Sequence, residues 1–482
     1  MSYADYDAVV VGAGPNGLAA AITLRQSGLS VLLLEAGDTV GGGMRTAELT
    51  LPGFKHDVCS AIHPMAMASP FFKTLPLQAH GLEYVFPQIS AAHPFDDGSA
   101  ALLYGSAEDT AKLLGDDERQ YLSLLQPVVN DWLKLSEDIL APLHFPKHLR
   151  AMTQFGIRGI ASASEVSKKF STRDAKALWA GMAAHSIQPL SHRATAAFAL
   201  VLMAGGHTIG WPMAKGGSQS IANALSSYFT SIGGKIITGA RVSSLKDLPL
   251  SKVTLFDITP SQLLKIAGDS FSWLYQRQLK RFLYGPGIFK IDWALDGPIP
   301  FSAAECRYAG TVHLGNTIEE ISFAEQQTWN GCHADKPFVL LAQQSLFDSS
   351  RAPEGKHTAW AYCHVPNGSL KDMTQAIENQ VERFAPGFRS LVLAKHVYNT
   401  AGMENYNANY VGGDINGGAM TIGQLFARPA LRISPYRTSA KGIYICSSST
   451  PPGGGVHGMC GHHAARQALK DIFGLQKLAE TN

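Results

Sequence analysis

Charged side chains are scarce in this chain. Asp, Glu, Lys and Arg make up 16% of its 482 residues, against roughly 25% in soluble domains. Hydrophobic residues reach 45%, and this excludes a disordered chain, which needs low hydrophobicity and high net charge. Forty basic and 38 acidic residues leave a net charge of +2. The strong basic bias of a nucleic-acid-binding protein is therefore missing. Cysteine is sparse and dispersed (Cys59, Cys306, Cys332, Cys363, Cys446 and Cys460), with no CxxC pair. A zinc ribbon and a redox disulfide are unsupported, and the pattern fits a reducing, cytoplasmic setting. The run from Met1 to Asp7 has no basic segment and no small-residue cleavage site, so no secretory signal is expected. The longest apolar stretch, about 194–206, is shorter than the roughly 20 residues of a helical span. Peripheral membrane contact stays open.

Where order is punctuated, glycine does it. Ala8–Val11 is a continuous apolar run suited to a strand buried on both faces. It meets Gly12-Ala-Gly14-Pro15-Asn16-Gly17, then helix formers over Leu18–Gln26, then a second apolar strand over Ser30–Leu34 that ends at Glu35. This is one β-α-β unit. In such a turn Gly12 allows the tight bend, Gly14 lets backbone approach a pyrophosphate, and Gly17 lets helix pack close on strand. The helix start offers free N–H groups and a positive dipole end to phosphates. Glu35 then stands where a carboxylate accepts hydrogen bonds from an adenosine ribose and repels a 2′-phosphate. Gly12–Gly17 alone does not separate FAD from NAD. A second glycine loop, Gly41-Gly42-Gly43-Met44-Arg45-Thr46, suits a larger dinucleotide lying across it, with Arg45 as a cation beside it.

Beyond residue 70 the pattern turns helical over 117–141, 171–184 and 192–203. A helix over 218–232 follows, with short strands at 235–237 and 252–257. Alternating and β-branched segments from 287 to about 365, such as 288–294 and 338–343, predict an antiparallel sheet. A strand over 441–446, a Pro/Gly-rich turn and a helix over 461–473 close the chain.

Together these segments resemble the phytoene desaturase-related flavoproteins, in the branch with carotenoid isomerases and pyridine nucleotide-disulfide oxidoreductase domain-containing proteins. The resemblance rests on Gly12–Gly17, Gly42-Gly43-Met44-Arg45-Thr46 and Pro52-Gly53-Phe54-Lys55-His56-Asp57. It extends through Trp211–Gly217, Arg241-Val242, Leu255–Pro260, Tyr284–Leu295 and the C-terminal run Ser447-Ser448-Ser449-Thr450-Pro451-Pro452-Gly453-Gly454-Gly455-Val456-His457-Gly458. It implies an α/β fold with a FAD-binding Rossmann-type domain, glutathione reductase-like and amine oxidase-like, assembled from residues 1–68, 210–264 and 431–482. Residues 69–209 and 265–430 would form a mixed-sheet and helical substrate domain.

The resemblance implies an FAD-dependent oxidoreductase that dehydrogenates or desaturates a hydrophobic, polyene- or lipid-like molecule by hydride transfer to flavin N5. A double-bond isomerase without net redox change and a non-catalytic flavin-binding partner are the alternatives. An amine-type oxidase would need an aromatic pair facing the ring. The expected FAD contacts are Gly12, Gly14, Pro15, Asn16, Gly17, Glu35, Ala36, Gly42, Gly43, Met44, Arg45, Ile62, His63, Val242, Thr259, Ser447, Ser448, Val456, Gly458 and Met459. The helix opened by Gly458-Met459 would aim its N-terminus at the flavin pyrimidine. His63, His457 and Tyr406 are the catalytic candidates, each with a structural role as its plainer alternative. No metal site is expected, since His462-His463 has no carboxylate at ligand spacing. Covalent flavin attachment through Cys460 or a histidine, a homodimer, and oxygen or a quinone as electron acceptor stay open.

Overall fold

The computed structural model describes residues 5–475. Met1–Ala4, on which part of the signal-sequence reading rests, and residues 476–482, the end of the third expected FAD-binding piece, lie outside the described residues.

One sheet has five parallel strands. In chain order these are β1 (Tyr6–Val11), β2 (Val31–Leu34), β3 (Lys235–Ile237), β4 (Ser251–Phe256) and β5 (Ile443–Ile445). Their spatial order is β5-β4-β1-β2-β3, so β1 is central, flanked by β4 and β2. The apolar run of β1 follows from this position. Ala8 and Val10 pack into the core with Ile22 and Leu469. Val9 and Val11 point the other way, to Leu32, Phe256 and Leu263. A strand buried on both faces has no use for alternation.

Helix α1 (Pro15–Gln26) leaves β1 and packs against α3 (Met459–Ile472), while α2 (Gln219–Ser231) also lies on α1. The α1–α3 crossing depends on glycine: a Cβ at Gly461 would meet the Asn16 carbonyl oxygen at 1.7 Å.

The second sheet has seven strands, in the order 392–398, 287–295, 357–365, 339–342, 309–314, 89–94 and 100–104. Every pairing is antiparallel except that of Ala309–Leu314 with Ile89–Pro94, which is parallel. One face buries Phe289, Ile291, Trp293, Val339, Leu341 and Phe388. The strands at 89–104 fall in a stretch to which the sequence pattern assigns no element. Ile89–Pro94 is wholly buried and shows no alternation. The helical stretch 117–141 divides at Asp131 into Glu118–Asn130 and Trp132–Ile139. Among the described residues no helix is long and apolar enough to cross a membrane, and no cluster of His, Cys, Asp or Glu could hold a metal ion.

Candidate functional site

At the carboxyl ends of β1 and β2 a cavity of ≈ 540 Å³ opens between the two sheets. Of the expected contacts, Gly12, Gly14, Pro15, Asn16, Glu35, Ala36, Gly42, Gly43, Arg45, Ile62, His63, Val242, Ser448 and Val456 line it, and so does Tyr406.

Sequence dictates the tightness of its floor. The Gly12 amide donates to Leu34 O at 2.7 Å, and the Gly41 amide to Ala13 O at 2.8 Å, which lays the second glycine loop on the first. A Cβ at Gly42 would reach Gly14 Cα at 3.0 Å, and one at Gly17 would strike Gly12 O at 1.8 Å. The Glu35 carboxylate accepts from the amides of Ala13 at 2.7 Å and Gly37 at 2.8 Å, and from Arg45 Nη2 at 3.0 Å. It therefore pins the first loop, its own turn and the cation of the second loop together. Tyr406 reaches over from helix Thr400–Tyr406, which packs on the second sheet. Its hydroxyl donates to Gly42 O at 2.7 Å, and Arg45 lies 5.6 Å from its ring centroid.

Asp257, at the end of β4, was not singled out by sequence. Its carboxyl accepts the Gly17 amide at 2.8 Å, inside the first turn of α1. Burial, with Glu35 adding to it, pushes this carboxyl up to about 7. Asn409 was also missed. It holds the neighbouring turn by accepting from Thr259 N at 2.9 Å and donating to Asp257 O at 3.1 Å. A strand-end acid is a readable signal, whereas a lone Asn in a distant loop gives none.

His63 donates through Nε2 to Ser218 Oγ at 3.0 Å, since that hydroxyl spends its own proton on Ser60 O. The ring is thus the neutral Nε2–H tautomer, and burial lowers it to about 4. Its Nδ1 is a buried acceptor without a partner, as is Asn16 Oδ1. Two orphaned acceptors and a backbone cradle that any side chain would fill fit a ligand with N–H and O–H donors and a phosphate-bearing middle.

Other expected contacts do not line the cavity. Gly17 is committed to Asp257 and to packing on Gly12. Met44 is core, Thr259 is held by Asn409, and Ser447 Oγ accepts from Ser449 N. His457 does not face the cavity: its Nδ1 accepts the Met459 amide at 3.0 Å, so it caps α3, and burial lowers it to about 4. Gly458 is small for a packing reason. A Cβ there would meet Phe72 at 2.5 Å and Ala19 at 2.8 Å. The start of α3, with Met459, is closed over by His457, and Gly455 and Val456 stand at the wall instead.

The far end of the cavity is mixed rather than a purely apolar tunnel. Trp211, Trp360, Tyr362, His185, Leu202 and Leu340 line it. Trp360 and Tyr362, neighbours on one strand face, stack with centroids 5.4 Å apart at 23°. Sequence gave no signal for this pair, because every residue of its strand is at least partly buried.

Residues 10–74 match the model of the NAD(P)-binding Rossmann-like domain. Over 97% of its length the chain is similar, at 24% identity, to the pyridine nucleotide-disulfide oxidoreductase domain-containing protein 2 of Rattus norvegicus, covering 94% of that protein. An oxidoreductase from Methanosarcina mazei superposes with TM-score 0.65 at 16% identity, over 95% of this chain and 99% of that one. A putrescine oxidase double mutant superposes with TM-score 0.64 at 15% identity, over 98% and 99%. The fold is a Rossmann-type, amine oxidase-like α/β fold. At these identities the structures speak for the fold alone, and the likeness to the domain-containing protein 2 bears out that part of the expected resemblance.

Proposed function

We propose that the chain is an FAD-dependent oxidoreductase that dehydrogenates a hydrophobic small molecule. The carrying observation is the convergence of Gly12–Gly17, Glu35, Arg45 and Tyr406 on one cavity. The flavin would supply hydride acceptance, and the protein binding, orientation and electrostatics. Gly12–Asn16 would cradle the pyrophosphate at the start of α1. Glu35, already oriented by two amides, would accept ribose hydroxyls with its remaining lone pairs. Gly42 and Gly43, held by Tyr406, would let backbone approach the dinucleotide. His63 Nδ1 would accept a proton donor of the ligand while its Nε2–H stays on Ser218.

On the far side, Trp360 and Tyr362 present aromatic faces that favour a flat, apolar reactant, and Trp211 helps close the end. A cavity of ≈ 540 Å³ is in the range of one drug-sized ligand, roughly 300–1,000 Å³. Shared between a dinucleotide and its reactant, it favours a compact substrate over a long polyene. Oxygen or a quinone is the electron acceptor this reading allows.

The test is purification without added cofactor, followed by release and chromatography of any bound flavin. About one FAD per chain and no FMN is the expected result. Colourless protein that takes up no FAD on reconstitution would end the proposal.

A further inference from the structure

A second surface lies apart from the cavity, where helix Trp273–Lys280 meets the loop after Phe426. Tyr275 and Leu279 turn inward to the core beneath β4. The outer face carries Trp273 and Leu274, 70% and 58% exposed. The loop joined to this helix through the Leu431 amide and Gln278 carries Leu431 and Ile433, 79% and 104% exposed, and Phe426 just before it is 56% exposed. Water is a poor environment for five large apolar side chains on one outcrop, and clusters of this kind mark interaction sites.

The loop is built to hold them out. Buried Arg428 bonds to Ser449 O at 3.3 Å and Gly417 O at 3.2 Å. Ala430 is in the core, and the Leu431 amide donates to Gln278 Oε1 at 2.9 Å. The two segments are thereby joined, and Leu431 and Ile433 project from an anchored backbone.

The charge is of one sign. Arg277, Lys280, Arg281 and Arg432 are exposed among the apolar residues, and none has an ion-pair partner among the described residues. No acid occurs between Ser270 and Ile291, nor between Ile415 and Lys470. The acids that flank these runs are Asp269, Asp292, Asp414 and, on α3, Asp471; Asp292 and Asp414 are buried, and Asp471 is paired with Arg437.

We propose that this outcrop docks the protein on an anionic lipid surface. Apolar side chains standing among Arg and Lys, with Trp at the rim, are the composition that sinks into a headgroup layer. Protein interfaces instead deplete Lys and concentrate flat apolar area at their core. A second copy is disfavoured, because a two-fold contact sets the same patch against itself and would face four cations with four. Arg428, at the root of the docked loop, bonds to Gly417 O, next in the chain to Ile415 and Asn416, which line the cavity. An apolar reactant could then come from the bilayer. Docking itself does not depend on the cofactor reading.

The experiment is co-sedimentation of the full chain with vesicles of phosphatidylcholine alone or an equimolar mixture with phosphatidylserine. Wild type should pellet with the mixed vesicles and stay in solution with phosphatidylcholine. Leu431→Ser/Ile433→Ser should reduce pelleting by about ten-fold, with an unchanged melting temperature. Arg277→Gln/Lys280→Gln/Arg281→Gln should abolish the preference for phosphatidylserine. Leu143→Ser/Phe145→Ser, on another exposed segment, should pellet as wild type. Wild type that pellets with neither vesicle overturns the proposal, as does a Leu431/Ile433 variant that pellets normally. A wild-type dimer that this variant turns into a monomer would mark a self-association face instead and also overturn it.

Discussion

The carboxyl of Asp257 accepts the amide of Gly17 at 2.8 Å across 240 residues of chain. Helix α1 has no side-chain cap of its own, because Gly14 stands at its N-cap position. An acid just after β4 fills the role that Ser, Thr or Asp usually plays from within the helix. The arrangement suits the fold and opposes an anionic ligand, since a pyrophosphate bound there would face an ionised carboxylate. Burial and Glu35 keep that ionisation back to about pH 7.

Asp257 should therefore make FAD affinity pH-dependent. As pH rises through about 7 the carboxyl ionises and binding weakens. Two like charges about 4 Å apart repel by about 1 kcal/mol even at the dielectric of bulk water, and by more in a protein, so the effect is at least about five-fold in affinity. Asp257→Asn should bind FAD more tightly than wild type at pH 8 and equally at pH 5.5. Flavin-fluorescence titration of the apoprotein at both pH values checks this. A wild-type affinity that is flat with pH would show that the carboxyl and the phosphates do not meet.

Glu35→Ala should cost twice. The carboxylate would be lost to the ribose, weakening FAD by about 10-fold or more at the 1.5–3 kcal/mol of a charge-assisted hydrogen bond. The amides of Ala13 and Gly37 would also lose their acceptor, at about 1–3 kcal/mol for a buried orphan donor. The apoprotein should thus melt earlier than wild type. If the apo melt falls while the dissociation constant for FAD holds, Glu35 serves the loops alone.

Tyr406→Phe isolates one bond. It removes the donor to Gly42 O and leaves the ring under Arg45. A net hydrogen bond is worth about 0.5–1.5 kcal/mol, so FAD affinity should fall about 2- to 12-fold. Arg45 and Glu35 stay in place. An unchanged affinity would mean that the second glycine loop needs no clamp.

The first β-α-β unit could be read from residues because two local rules agree there. The apolar run of β1 and the glycine spacing both point to one turn, and Glu35 falls at the next strand end. The C-terminal half of the site was harder. Gly458 and His457 sit in a glycine-rich run that reads as a ligand loop, yet Phe72 and the cap of α3 claim them. The Met459 amide that claims His457 is two residues on, whereas Phe72 and Ala19 lie hundreds of residues from Gly458 and leave no trace in the local pattern. The same holds for Asn409, and for Trp360 with Tyr362, whose strand is buried and does not alternate. The strands at 89–104 were lost because full burial erases the period-two signal on which strand reading depends.

Gly458→Val should accordingly act on folding. Its φ is +68°, which costs a β-branched residue about 1–2 kcal/mol, and overpacking against Phe72 and Ala19 adds about 1–3 kcal/mol. A lower melting temperature of the apoprotein and poor soluble yield are expected, whatever the flavin content. An unshifted apo melt with reduced FAD occupancy would return the residue to the ligand.

Acid should destabilise the protein steeply, because so many imidazoles are buried in the neutral form. Burial lowers His63, His93, His207, His457 and His463 to about 4, and His56 and His185 to about 3. A group whose folded pKa is depressed in this way binds its proton in the unfolded chain first. Stability is therefore full above the unfolded value near 6.5 and falls as pH drops toward 4. Three acids pull the other way: Asp257, raised to about 7, Asp292, raised to about 6, and Asp414, raised by burial, hold protons in the fold that the unfolded chain releases. Burial lowers His313 and His462 further still, so nine histidines against three carboxyls leave a net uptake of several protons on unfolding near pH 5. At about 1.36 kcal/mol per proton and pH unit, the slope is several kcal/mol per unit. That is comparable with the whole stability of a domain, about 5–15 kcal/mol. The melting temperature should change little between pH 8 and 7, then drop sharply below 6. A series of melts across this range, with a fixed buffer ionic strength, decides it. A flat profile down to pH 5 would mean that the imidazoles are hydrated or already charged in the fold.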